Sequence, residues 1–184
     1  MKSISFFLTI CILLISCQNE PVASIEELTT QIKQLNTQME TAYNSGDLQG
    51  VANIYADDAY LIGPRSYQVQ GRKAVDDYWT RIKNPIRWKL EVIEVTQKEE
   101  ELYKSAYWKK LKNKPPHWPA GLTDTEDNNK YLYQLGHSKL EYEREDATHR
   151  VSHVDFVIVW RKQENGGYKI FVDTYNQNGA MGFD

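Results

Sequence analysis

The sequence predicts an α+β fold in which three N-terminal helices cover one face of an antiparallel sheet. Two observations carry this expectation. Apolar residues repeat at three- and four-residue steps in the first half of the chain, where they form helical stripes. β-Branched and aromatic runs crowd the second half. They close in a hairpin, Val151–Arg161 and Tyr168–Tyr175, turned around Gln163-Glu164-Asn165-Gly166-Gly167. Helices first and long strands last is the order expected of a sheet covered on one side.

In chain order, Met1-Lys2 is a short positive start, and Ile4 to Ile15 is apolar apart from Ser5 and Thr9. About a dozen residues is too short for a bilayer-crossing helix, which needs ~20, but fits the core of a signal peptide. The run ends in Leu14-Ile15-Ser16-Cys17, which resembles the lipobox of bacterial lipoproteins. Residues 1–16 are therefore expected to be removed, and residues 17–24 to be the lipidated Cys17 and a tether. The domain then occupies residues 25–184. This places the protein in the cell envelope, lipid-anchored on the periplasmic or surface side of a membrane, with more than one acyl chain needed for a stable anchor.

Ser24-Ile25-Glu26-Glu27 is a capping box. The helix it opens carries Ile25, Leu28, Ile32, Leu35, Met39 and Tyr43 on one stripe and stops at Asn44-Ser45-Gly46. Asp47 caps a second helix bearing Leu48, Val51, Ile54 and Tyr55, which makes a tight αα-hairpin. Ala59 to Ile62 is a short strand, and Tyr67 to Gln70 pairs back with it. Gly71 opens a third helix with Val75, Tyr78, Trp79 and Ile82 inward, ended by Asn84-Pro85. Trp88 to Val95 and Tyr131 to Tyr142 are strands. Between them, 96–129 is an inserted segment, helical at most in its first half because Pro115, Pro116 and Pro119 forbid helix in the second. Its length marks it as a cover over one end of the sheet or a surface excursion.

Composition excludes several functions. The formal net charge is −3, and loss of residues 1–16 removes Lys2 and no acid, leaving 21 basic against 25 acidic residues. A chain of that charge is not built for nucleic acid, and its only membrane contact is expected through the anchor. Cys11 leaves with the signal and Cys17 is acylated, so no thiol remains for disulfides, nucleophilic catalysis or a zinc–thiolate site. No Gly-x-Ser-x-Gly elbow, phosphate loop or dinucleotide fingerprint occurs, and no cofactor is expected.

Several motifs along the chain resemble the SnoaL-like branch of the nuclear transport factor two-like superfamily. They are Met39-Glu40-Thr41-Ala42-Tyr43-Asn44-Ser45-Gly46-Asp47, Ile54-Tyr55-Ala56-Asp57-Asp58-Ala59, Gly63-Pro64, Gly71-Arg72-Lys73-Ala74-Val75, Tyr133 through Gly136, and Trp160-Arg161-Lys162-Gln163 through Gly167-Tyr168-Lys169-Ile170. The long 96–129 segment departs from that pattern. The resemblance implies a cystatin-like cone whose curved sheet encloses a pocket with the helices. It also implies a choice among isomerases, cyclases, dehydratases, non-enzymes and homodimeric binding modules.

Residues two apart on a strand share a face. With Lys162 opposite Tyr168, Asp173 would oppose Val157 and Tyr175 would oppose Asp155. His153, Asp155, Asp173 and Tyr175 would then cluster on one face. If that face looks inward, a carboxylate there is a candidate general base whose burial raises its pKa. The resemblance points to Asp173 first and Asp155 second. If it looks outward, the same residues sit on a solvated or dimer-forming surface. The alternation does not choose, because both faces carry apolar residues.

Tyr43, Tyr55, Tyr60, Tyr78, Trp79 and Tyr133 fall on stripes expected to face inward. Buried tyrosines need partners, so they fit the polar lining of a ligand pocket, or else simply fill the core. His137 shares a strand face with Tyr131, Tyr133 and Leu135 and is expected at the core or rim; His117 is placed near a pocket mouth. His149 and His153 do not make a metal site, because four strand residues separate them by ~13 Å. Three functions stay open: a pocket for a small, largely apolar ligand; an isomerase, cyclase or dehydratase using a pocket carboxylate; and a homodimer through the outer sheet face.

The anchor is testable at once. Cys17→Ala should abolish labelling by a palmitate analogue and move the protein from the membrane to the soluble fraction; retention at the membrane would overturn the lipobox reading.

Overall fold

The computed structural model describes residues 23–64, 67–106, 109 and 130–177. Cys17 with its lipobox, and the Pro-rich run containing His117, lie outside the described residues. Helix α1 spans Ile25–Asn44, α2 Leu48–Ala52, α3 Arg72–Thr80 and α4 Glu99–Lys104. Strands β1 to β6 span Tyr55–Ile62, Gln68–Gln70, Asn84–Thr96, Tyr131–Glu143, His149–Lys162 and Tyr168–Gln177. They form one six-stranded sheet in the order β2-β1-β6-β5-β4-β3. All neighbours are antiparallel except β1 and β6, which are parallel.

Local chemistry explains the helix ends. Ser24 Oγ accepts from the Glu27 N–H at 3.2 Å while Glu27 Oε2 accepts from the Ser24 N–H at 2.8 Å, so the capping box is complete. Gly46 turns the chain at φ 82°, and Asp47 Oδ1 accepts from Gly50 N–H at 2.7 Å to start α2. Leu28, Ile32, Met39 and Tyr43 of α1 are buried against the sheet, as their stripe predicts.

Two junctions differ from expectation. α2 ends at Ala52, and Tyr55 opens β1 rather than closing a helix. The Ile170 N–H donates to the Ile54 carbonyl at 3.0 Å, so a contact with the far end of the chain fixes where β1 starts. α3 stops at Thr80, and Asn84-Pro85 begins β3 instead of ending the helix. Pro85 is tolerated because β3 is an edge strand, where a missing N–H breaks no ladder on the open side.

That open edge is sealed by α1. Asn44 Oδ1 accepts from Trp88 N–H at 2.6 Å and its Nδ2 donates to Trp88 O at 3.3 Å; Glu40 Oε1 accepts from Leu90 N–H at 2.5 Å. Two polar residues one helical turn apart thus occupy edge groups that would otherwise template another strand. The inner face of the sheet carries the main core with α1, α2 and α3, including Phe156, Ile158, Trp160 and Ile170. The outer face has its own cluster, Leu135, Val157, Val159 and Val172, onto which α4 seats the fully buried Leu102. The inserted segment is therefore a helix against the outer face as far as it is described.

Gly136 sits where β4 crosses the inner core. A Cβ there would collide with the Glu91 carbonyl oxygen and the Phe156 ring. Gly136→Ala is expected to destabilise the fold by about 1–3 kcal/mol, read as a lower urea midpoint with an unchanged slope.

Candidate functional site

The site begins with a change of register in the closing hairpin. Lys162 pairs with Tyr168 and Trp160 with Ile170, but Val159 then pairs with Val172, leaving Phe171 as an extra residue in β6. Such a β-bulge reverses the facing of every later residue on the bulged strand. Asp173 consequently lies opposite Ile158 and Tyr175 opposite Phe156, not opposite Val157 and Asp155. The expected cluster of His153, Asp155, Asp173 and Tyr175 is split. Asp173 and Tyr175 point inward to the helices, while His153 and Asp155 occupy the outer face.

Inside, the curved sheet and α3 enclose a cavity of about 680 Å³. Its walls are mostly apolar, from Leu61, Trp79, Trp88, Leu90, Leu140, Val154, Phe156 and Ile158. Ser138, Ser152, Tyr78, Asp173 and Tyr175 add polar groups. The mouth lies between the end of α3, with Arg81 and Lys83, and the β4–β5 turn, with Glu143, Arg144, Glu145 and Asp146. Ser138 Oγ accepts from Trp88 Nε1 at 2.8 Å, which fixes the indole in the wall.

Asp173 is the chemical centre of this cavity. It is 9% exposed, and its Oδ2 accepts from the Tyr55 hydroxyl at 2.6 Å. Burial pushes the carboxyl up to about 6, and the Tyr55 hydrogen bond holds it lower than burial alone would. Burial, followed by the Asp173 charge, lifts the Tyr55 hydroxyl far above the ordinary tyrosine value. Beside them the Tyr78 and Tyr175 hydroxyls are 3.1 Å apart. Burial raises both, so they remain neutral hydroxyls near pH 7. Gly63 makes room for this arrangement, since a Cβ there would stand 3.0 Å from Tyr175 Oη. The arrangement offers a carboxylate more basic than usual, neutral hydroxyls beside it, and an apolar enclosure. It can hold a polar group on an apolar ligand, and it can accept a proton from one.

Of the ligand-contact expectations, Tyr78 and Trp79 line the cavity. Tyr43 is buried in the core behind the wall, with its hydroxyl on the Glu141 carbonyl at 3.1 Å. Tyr60 and Tyr133 belong to the outer cluster. His137 is also outward, its Nδ1 against Asp155 Oδ1, opposite its cross-strand neighbour. Asp155 is thus partnered on the outer face and does not reach the cavity. Sequence reasoning missed Trp88, Ser138 and Arg81 as lining residues, and Tyr55 as the partner of Asp173. The period-two pattern Trp88, Leu90, Val92 carried the signal for Trp88; Tyr55 is expected inward from its stripe, but its assignment to a helix hid that its hydroxyl meets Asp173.

Comparison with known proteins agrees with the fold. The SnoaL-like domain family matches residues 36–170. A ketosteroid isomerase-like protein from Erwinia carotovora atroseptica superposes with a TM-score of 0.56 at 13% identity, over 82% of this chain and 96% of that one. An NTF-2 like protein of unknown function from Shewanella oneidensis gives 0.53 at 15% identity, over 81% and 98%. A domain of unknown function with a cystatin-like fold from Nostoc punctiforme gives 0.54 at 15% identity, over 86% and 82%. At these identities the likeness is one of fold, and it establishes the cystatin-like α+β cone. No match was found among curated proteins.

The raised carboxyl has a consequence for stability. A folded value of about 6 against 3.8 unfolded means that the native state binds the proton more tightly. The contribution is fully present below the unfolded value and is lost as pH rises through the folded one. At ~1.4 kcal/mol per pKa unit this amounts to roughly 3 kcal/mol. Asp173→Asn, which keeps an acceptor for Tyr55, should remove the decline between about pH 4 and pH 6. By urea denaturation it should exceed the wild type at pH 8.

Proposed function

Because the chain belongs to the SnoaL-like domain family, we propose that its inner cavity binds a small, largely apolar molecule whose polar group meets Asp173. The observation that carries this reading is the placement of that carboxylate. It is buried among apolar side chains, and among the described residues its hydrogen-bond partner is the neutral Tyr55 hydroxyl rather than a cation. A buried charge without a counter-ion is destabilising, and no packing role accounts for it. A cavity of about 680 Å³ is the size of ordinary small-molecule sites, ~300–1,000 Å³. The domain is held at the envelope by lipid on Cys17. α4 already covers part of the outer face with Leu102, which favours the inner cavity over a homodimer seated on that face.

The carboxyl at about 6 favours a second, catalytic reading: an isomerase, cyclase or dehydratase step in which Asp173 takes a proton beside a carbonyl. In that reading a neighbouring tyrosine hydroxyl would polarise the carbonyl. Asp155 is not part of it, since it faces the opposite side of the sheet.

One set of measurements separates the two. Native mass spectrometry of freshly purified protein should show a retained small molecule, and Asp173→Asn should lose it. Deuterium exchange at the activated C–H of 2-tetralone, followed by NMR, should accelerate with an inflection near pH 6 if Asp173 is a base. Binding without exchange leaves the pocket function alone; an empty cavity that does not take up 2-tetralone defeats both.

A further inference from the structure

We infer that the ligand of this cavity is an apolar carboxylate, its body in the interior and its anionic end paired with Arg81 at the mouth. This rests on the cavity-binding reading above and names the class of molecule bound. The other well-fixed arginines of the fold are tied to acids: Arg72 to Asp76 at 2.7 Å, and Arg161 to Asp58 through two hydrogen bonds. Among the described residues Arg81 has no carboxylate partner. It is held by aromatic groups instead. Its Nη1 donates to the Tyr67 hydroxyl at 3.2 Å, and its Cζ stands 4.7 Å from the Tyr78 ring centre and 5.8 Å from that of Tyr67.

Two separate elements fix this clamp. Tyr78 is on α3, and Tyr67 is placed by the turn between β1 and β2, where the Gly63 N–H donates to the Tyr67 carbonyl at 2.8 Å. A guanidinium stacked on rings keeps its fork of N–H donors directed and loses little entropy on binding a carboxylate. Its charge also acts on the Tyr78 and Tyr175 hydroxyls inside the cavity. The acids of the mouth do not consume it. Glu143 accepts from Asn84 Nδ2 at 3.1 Å, and Asp146 accepts from the Thr148 N–H at 3.0 Å and feels the Arg144 charge. Arg81 and Asp173 lie at the mouth and in the buried interior respectively, so one elongated molecule meets the cation with one end and the carboxyl with the other.

The test is calorimetric titration at pH 8 with two probes of one ring system, 2-naphthoate and 2-naphthylmethanol. The intact protein should bind the naphthoate at least tenfold tighter than the alcohol. Arg81→Gln should abolish that preference with the alcohol's affinity unchanged, and Arg81→Lys should restore only part of it. Equal affinities in the intact protein, or a preference that survives Arg81→Gln, would overturn the inference and leave the pocket standing. Failure of both probes to bind would remove the cavity-binding reading and this inference with it. The urea midpoint of each variant, set by residues away from this exposed side chain, confirms folding.

Discussion

Phe171 has no opposite number in β5, and the placement of the whole site follows from that one extra residue. Without it, Asp173 would share the outer face with Asp155; with it, Ile170 and Asp173 both turn inward. The bulge is held from the outside. Arg161 lies with its Cζ 4.1 Å from the Phe171 ring centre, Tyr131 stacks on the same ring at 6.0 Å, and Tyr60 meets it edge-on at 6.0 Å. Arg161 is in turn anchored by Asp58 of β1. Such ring and cation contacts contribute ~0.5–1.5 kcal/mol each. The polar and aromatic residues of the outer face therefore serve the inner one, by keeping β6 in the register that buries a carboxyl.

The parallel pairing of β1 with β6 completes the arrangement. Tyr55 comes opposite Ile170, and pairing resumes irregularly at Tyr60 opposite Val172, so β1 also bends where β6 bulges. The bend leaves Tyr55 on the inner side, with its hydroxyl directed at Asp173. Arg72 strengthens this corner by donating to the Tyr55 and Ala52 carbonyls at 3.0 and 2.7 Å, which ties the end of α2 and the start of β1 to α3. A carboxyl that destabilises the fold is thus surrounded by structure that over-determines its position, the usual condition for strain or buried charge at a functional site.

Much of the architecture was legible along the chain. The capping box at Ser24, the turn at Gly46, the stripe on α1 and the Gln163–Gly167 hairpin are decided by local geometry and hydrophobic period, and each stands where the residues place it. The boundaries that failed are those set by distant partners. Tyr55 became a strand residue because β6 pairs beside it, and Pro85 entered a strand because that strand lies at the edge. The site was half legible. Asp173, Tyr175, Tyr78 and Trp79 were identified as residues in need of a role, but the same reasoning grouped His153 and Asp155 with them.

The sequence by itself determined an α+β fold with helices on one face of a sheet, its closing hairpin and a short set of polar residues set into apolar strands. It did so because period, caps and turn residues act over a few positions. Only the tertiary structure decided which of those polar residues share a cavity. Facing along a strand is a parity, and one unpaired residue at Phe171, stabilised by contacts from β1, β4 and β5, reverses it.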